Sequence, residues 1–166
     1  MKGLMKFVLA MAMVLMMSGG AMAQSSFYPQ GSALMSNLII YYASPVSWTL
    51  PYITLTNITD SNVRCKVNIY DSEGSSITHL SRVVKGGANW VQIALGTSDF
   101  DIPAHSSRMF YLTTNSVFHT IGYAEIEWQS DDPKARKALI GGVMQHRCDG
   151  SSYTNTTDLI NNGQPF

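Results

Sequence analysis

The stretch Val63-Arg64-Cys65-Lys66-Val67-Asn68-Ile69-Tyr70 decides the fold class. Val63, Cys65, Val67 and Ile69 take every second place, and Arg64, Lys66, Asn68 and Tyr70 fill the places between. That period of two belongs to a β-strand, whose successive side chains point to opposite faces, and not to a helix. One face is apolar and the other polar, as in an antiparallel sheet that is dry on one side and wet on the other. Just upstream, Tyr52-Ile53-Thr54-Leu55-Thr56-Asn57-Ile58 is rich in β-branched and aromatic residues. The link Thr59-Asp60-Ser61-Asn62 has turn chemistry, so the two segments are expected to pair as a hairpin. Asp71-Ser72-Glu73-Gly74 ends the strand with a second turn.

Further segments follow at the spacing of an all-β domain. Leu38 to Tyr42, Ile77 to Val84, Trp90 to Leu95 and Arg108 to Thr113 each read as strands. Ile121 to Trp128 alternates again, with Ala124, Ile126 and Trp128 opposite Glu125 and Glu127. One helical turn is expected at Lys134 to Lys137, and Leu139 to His146 is the last strand, with Gly141-Gly142 as a bulge or a close-packing point. Trp90 and Trp128 are assigned to the core. The pattern predicts an antiparallel two-sheet β-sandwich of about eight strands, spanning residues 35–148. That strand count, with the Ile102-Pro103-Ala104-His105 corner followed by a strand, resembles in outline the immunoglobulin-like sandwiches common in exported bacterial proteins. The antibody-type signature is not met: Trp90 comes 25 residues after Cys65, and no tyrosine stands two residues before Cys148.

Residues 1–23 have the layout of a signal peptide. Lys2 and Lys6 precede an apolar run from Phe7 to Met17, then Ser18-Gly19-Gly20, then Ala21-Met22-Ala23, leaving Gln24 as the new N-terminus. Export to a bacterial periplasm, cell surface or medium is the expectation. In an oxidising compartment the two cysteines, Cys65 and Cys148, are most simply a disulfide, which would contribute roughly 4 kcal/mol in the chain-entropy model. The flanking segments 24–34 and 149–166 are polar and turn-rich, which suggests loosely held ends or a strand lent to a neighbouring subunit. Leu159, Ile160 and Phe166 are the apolar groups of the tail that could dock.

Without the leader the chain carries 9 basic and 11 acidic groups, which excludes the strongly basic surface of a nucleic-acid binder. It also excludes a polybasic membrane-surface binder. The histidines His79, His105, His119 and His146 are scattered, and no metal site or cofactor is expected. Asp99, Asp101 and His105 lack the glycine and ligand count of a calcium loop. No G-x-S-x-G or S-x-x-K nucleophile motif occurs. Glu125 and Glu127 stand roughly 7 Å apart on one strand face, a glycosidase-like spacing that is also what any solvated sheet face presents.

Aromatic residues carry more information. Tyr70 shares the wet face with Arg64, Lys66 and Asn68, and these four form the expected interaction surface. The chain therefore reads as an exported, non-enzymatic interaction, adhesion or surface-structure protein, with a protein partner or self-association. A polysaccharide- or small-ligand-binding module using exposed aromatics is the first alternative. A small outer-membrane barrel is the second.

Overall fold

The computed structural model describes residues 26–86 and 89–166; the leader expected at residues 1–23 lies outside them. Ten strands follow in chain order. They are β1 (Gly31–Ser44), β2 (Ser47–Asn57), β3 (Val63–Tyr70), β4 (Ser81–Lys85), β5 (Val91–Leu95), β6 (Phe100–Ile102), β7 (Ser107–Leu112), β8 (Phe118–Ser130), β9 (Leu139–Asp149) and β10 (Ser152–Leu159). Thr78–Leu80 and Ile160–Gly163 form short 3-10 turns. The expected helical turn at Lys134 to Lys137 is not formed: these residues make only turns and bends.

The fold is all-β and antiparallel. The strands form one continuous sheet, curled into a nearly closed, barrel-like shape, and not the two separate sheets of a sandwich. One half runs β1-β8-β3-β6 and the other β5-β4-β7-β2-β9-β10. The β1–β2 hairpin, with Tyr41 opposite Thr49 and Tyr42 opposite Trp48, hydrogen-bonds the halves together. β2 then leaves β1 and takes β7 as its neighbour from Tyr52 onward, so the two halves diverge around a common interior. Alternation alone could not show this, because a strand has the same period whichever strand lies beside it.

The interior is built by the rule read from Val63–Tyr70. Val63, Cys65, Val67 and Ile69 are fully buried, alongside Leu38, Ile40, Ile126 and Trp128 from β1 and β8, with Ile53, Leu55 and Phe110 from β2 and β7. Gly31 lies so close to the Trp128 indole that a Cβ there would stand 2.6 Å from ring atoms. Gly141 is also a close-packing point: a Cβ would meet the Thr54 carbonyl at 2.7 Å. Trp90, assigned to the core, is instead 60% exposed beside the edge strand β5.

Two further expectations are corrected. The hairpin of Tyr52–Ile58 with Val63–Tyr70 does not form; β2 pairs with β1, β7 and β9, and β3 with β8 and β6. The link between β2 and β3 crosses from one half to the other and is held by the fully buried Asn57. Its Nδ2 donates to the Ser61 and Ile102 carbonyls at 2.8 and 2.9 Å, and its Oδ1 accepts from the Thr59 amide and hydroxyl. Cys65 and Cys148 are separate free thiols, not a disulfide. Cys65 lies opposite Trp128 and Phe100, Cys148 opposite Trp48 and Tyr153, so each is packed among different strands. Burial pushes the Cys65 thiol well above its usual range, which leaves it inert.

The C-terminal stretch joins the sheet as β10. Ile160 and Phe166 dock into the interior while Leu159 stays out. The Phe166 backbone exchanges hydrogen bonds with Leu139.

Candidate functional site

Where β1 and β2 join, five neighbouring strands, β8-β1-β2-β9-β10, present two very different faces. The register aligns His119 with Tyr41, Tyr41 with Thr49, Thr49 with Arg147, and Arg147 with Thr154. All five line one groove of about 720 Å³, with Asn37, Ile39, Gln145, Asp149, Thr156 and Asp158 around them and Ser47, Trp48 and Cys148 at its border. One residue along each strand, the register aligns Phe118, Tyr42, Trp48, Cys148 and Tyr153. Four of these five residues are aromatic, and Trp48 meets His146 edge-on at 4.9 Å and Tyr153 at 6.5 Å. Tyr52 extends this row, stacked on Tyr111 at 5.5 Å. Burial, then the neighbouring Tyr111, raises the Tyr52 hydroxyl above its ordinary value.

The groove itself is polar and set by backbone geometry. β1 carries an irregularity between Met35 and Leu38, with Asn37 in the left-handed region at φ 63°. Gln145 Nε2 donates to the Asn37 carbonyl at 3.2 Å, tying β9 to this bend. The Gln145 Oε1 is buried with no hydrogen-bond partner, so one acceptor in the groove lining is left unsatisfied. Arg147 Nη2 donates to Asp149 Oδ2 at 3.0 Å, and the Tyr41 ring meets His119 edge-on at 5.5 Å. The lining thus offers hydroxyl, amide, guanidinium and carboxylate groups beside the Tyr41, Trp48 and His119 rings.

Of the residues singled out from the sequence, His119 and Cys148 border this groove and the expected interaction surface falls elsewhere. Arg64, Lys66, Asn68 and Tyr70 do share the outward face of β3, half-buried, and they pair across to β8 with Gln129, Glu127, Glu125 and Tyr123. Tyr70 stacks on Tyr123 at 5.1 Å. Glu125 and Glu127 are therefore part of a mixed-charge ladder. His105 Nε2 lies 2.8 Å from Asp60 Oδ1, away from Asp101, which approaches Arg64 at 3.9 Å. Among the described residues no three His, Cys, Asp or Glu side chains gather as a metal site would need. At the other end of the fold, Arg64, Lys85 and Arg108 line a second cleft with Asp99 and Asp101, and burial lowers the Arg108 guanidinium.

Thr154, Thr156 and Asp158 were hidden in a tail that reads as polar. Their one signal is the Tyr and Thr content of Ser152–Leu159, which favours a strand over a loop.

No family model matches the chain, and no curated protein resembles it significantly. Among solved structures, the crystal structure of Thermotoga maritima 1070 superimposes with a TM-score of 0.50 at 10% identity, covering 80% of this chain and 96% of that one. At such low identity the likeness concerns the fold alone.

Proposed function

We propose that this protein is an exported, non-enzymatic contact protein that holds a hydroxyl-rich chain, a surface polysaccharide, in the groove spanning β8-β1-β2-β9-β10. The observation that carries the reading is the five-strand row His119–Tyr41–Thr49–Arg147–Thr154. Sugar hydroxyls both donate and accept, and this row, with Asn37, Gln145 and Asp158 around it, supplies partners of both kinds. Tyr41 adds an aromatic surface against which an apolar sugar face can lie. The charges in the lining are of both signs, so the site favours neither polyanions nor polycations.

Export rests on the leader sequence and contact on the groove. The outward ladder of Arg64, Lys66, Glu125 and Glu127 speaks against a lipid-facing apolar band of the kind a membrane barrel needs. Among the described residues no helix is long and apolar enough to cross a membrane. The test is a glycan array probed with the purified protein. The reading expects a confined set of hits that Arg147→Ala and Tyr41→Ala each erase. A blank array, or hits indifferent to both substitutions, overturns it.

A further inference from the structure

Among the described residues β10 is the outermost strand of its half and pairs only with β9. All eight of its residues are exposed. Its outer edge is a row of backbone donors and acceptors with little of the usual protection: Ser152–Leu159 contains no lysine, no proline and no bulge in its pairing with β9, and Asp158 is its one charge. The opposite edge strand, β5, is only five residues long, and its pairing with β4 is broken between Val83 and Val84. The two edges are therefore treated differently by the sequence.

We infer that β10 is a self-association edge, and that a second copy of this chain adds its own β10 antiparallel about a two-fold axis at Thr156. The side chains select that register. Tyr153 and Leu159 are 64% and 63% exposed, and both lie on the face of β10 that carries Asn155 and Thr157. Antiparallel pairing centred on Thr156 brings each Tyr153 opposite the second copy's Leu159, so two exposed apolar side chains cover each other at both ends of the ladder. It also sets Thr154 opposite Asp158, a hydroxyl against a carboxylate. Asp158 is the single charge on β10, and this register keeps the two copies of it about 13 Å apart by strand rise. Sliding the axis by one residue, to Asn155, would set Tyr153 against Thr157 and leave Leu159 uncovered beyond the ladder. The contact is isologous and closes, as a two-fold interface must to stop at a dimer.

Thr154, Thr156 and Asp158 also line the groove, so pairing would lay two grooves side by side across the axis. The pairing itself does not depend on what the groove binds.

Sedimentation equilibrium on the purified protein tests this. Wild type is expected to dimerise reversibly, and Leu159→Lys to weaken the dimer about tenfold or more, because a symmetric contact registers the change twice. The double variant Tyr153→Glu with Leu159→Lys is expected to restore it, since each lysine then faces a glutamate. A thermal melt checks that the variants remain folded, since Tyr153 also meets the Trp48 and His146 rings. A strictly monomeric wild type, or a dimer that Leu159→Lys leaves intact, overturns the proposal; a double variant no tighter than the single one overturns the register. Glycan binding scored separately keeps this outcome distinct from that of the groove.

Discussion

β1 and β8 each build two regions at once, and the two could hardly differ more. Their inward residues, Leu38, Ile40, Ala124, Ile126 and Trp128, are sealed in the interior. From the same strands, Tyr41, Ile39 and His119 line the groove. Interior side chains are constrained by volume, since protein cores are close-packed and cannot relax around a lost ring. Groove side chains are constrained by what they offer to a ligand, and their loss leaves the packing alone. The same backbone therefore separates stability from binding by alternation alone.

The strongest way to break this contrast is at Trp128. It is fully buried with Gly31 laid against its ring, so Trp128→Ala is expected to cost about 3–5 kcal/mol in a urea titration. A loss under about 1 kcal/mol would mean the interior is not the rigid region described. Next is Asn57→Ala. Two carbonyls would lose their donor and two Thr59 groups their acceptor, for an expected loss of about 2–3 kcal/mol. Asn57→Asp tests the same site differently, because Asp retains the acceptor but cannot donate to the Ser61 and Ile102 carbonyls.

Asn57 also shows where sequence reading stops. The alternation of Val63–Tyr70 is a local property, imposed by one dry and one wet face, and the strand bounds follow from it directly. Which strand lies alongside is a non-local property, and nothing in Tyr52–Asn62 separates a hairpin turn from a crossover. The decisive fact is that Asn57 points inward, between Leu55 and the link, and a polar residue in a turn-rich stretch gives no sign of that. Trp90 fails for a related reason: its size favours burial, but it borders the edge strand β5 and stays exposed. In the candidate site, Tyr41 and His119 could be noticed as an aromatic and an imidazole but not as neighbours, because their alignment depends on β1 lying between β8 and β2. β10 was illegible because its residues are exposed on both faces, so no hydrophobic period marks it.

A smaller effect sharpens the aromatic side of the contrast. The Tyr52 hydroxyl is raised by burial and by Tyr111, so the folded state holds that proton more tightly than the unfolded chain. The stability this provides is complete below the unfolded value near pH 10 and is lost as the pH climbs through the folded value. Wild type should therefore weaken in alkali more steeply than Tyr52→Phe, measured as urea midpoints from about pH 9 upward. Identical alkaline slopes would place Tyr52 in water and dissolve the aromatic row as a packed unit.

The smallest stability change is expected at Arg147, and that is why it discriminates best. Its guanidinium is exposed and its partner Asp149 stands two residues along the same strand, so the ion pair is of the surface kind, worth about 0–1 kcal/mol. Arg147→Ala should shift the urea midpoint hardly at all, while a glycan held in the groove should bind at least about tenfold more weakly, the usual minimum for losing a charge-assisted hydrogen bond. Tyr52→Ala should do the reverse on the other face of the same strands, lowering stability through the lost contacts with Tyr111 and His146. If instead Arg147→Ala unfolds the protein, the groove is part of the packed structure after all. If Tyr52→Ala abolishes glycan binding in a folded protein, the ligand lies on the aromatic face, and the two faces have exchanged the roles their chemistry assigns them.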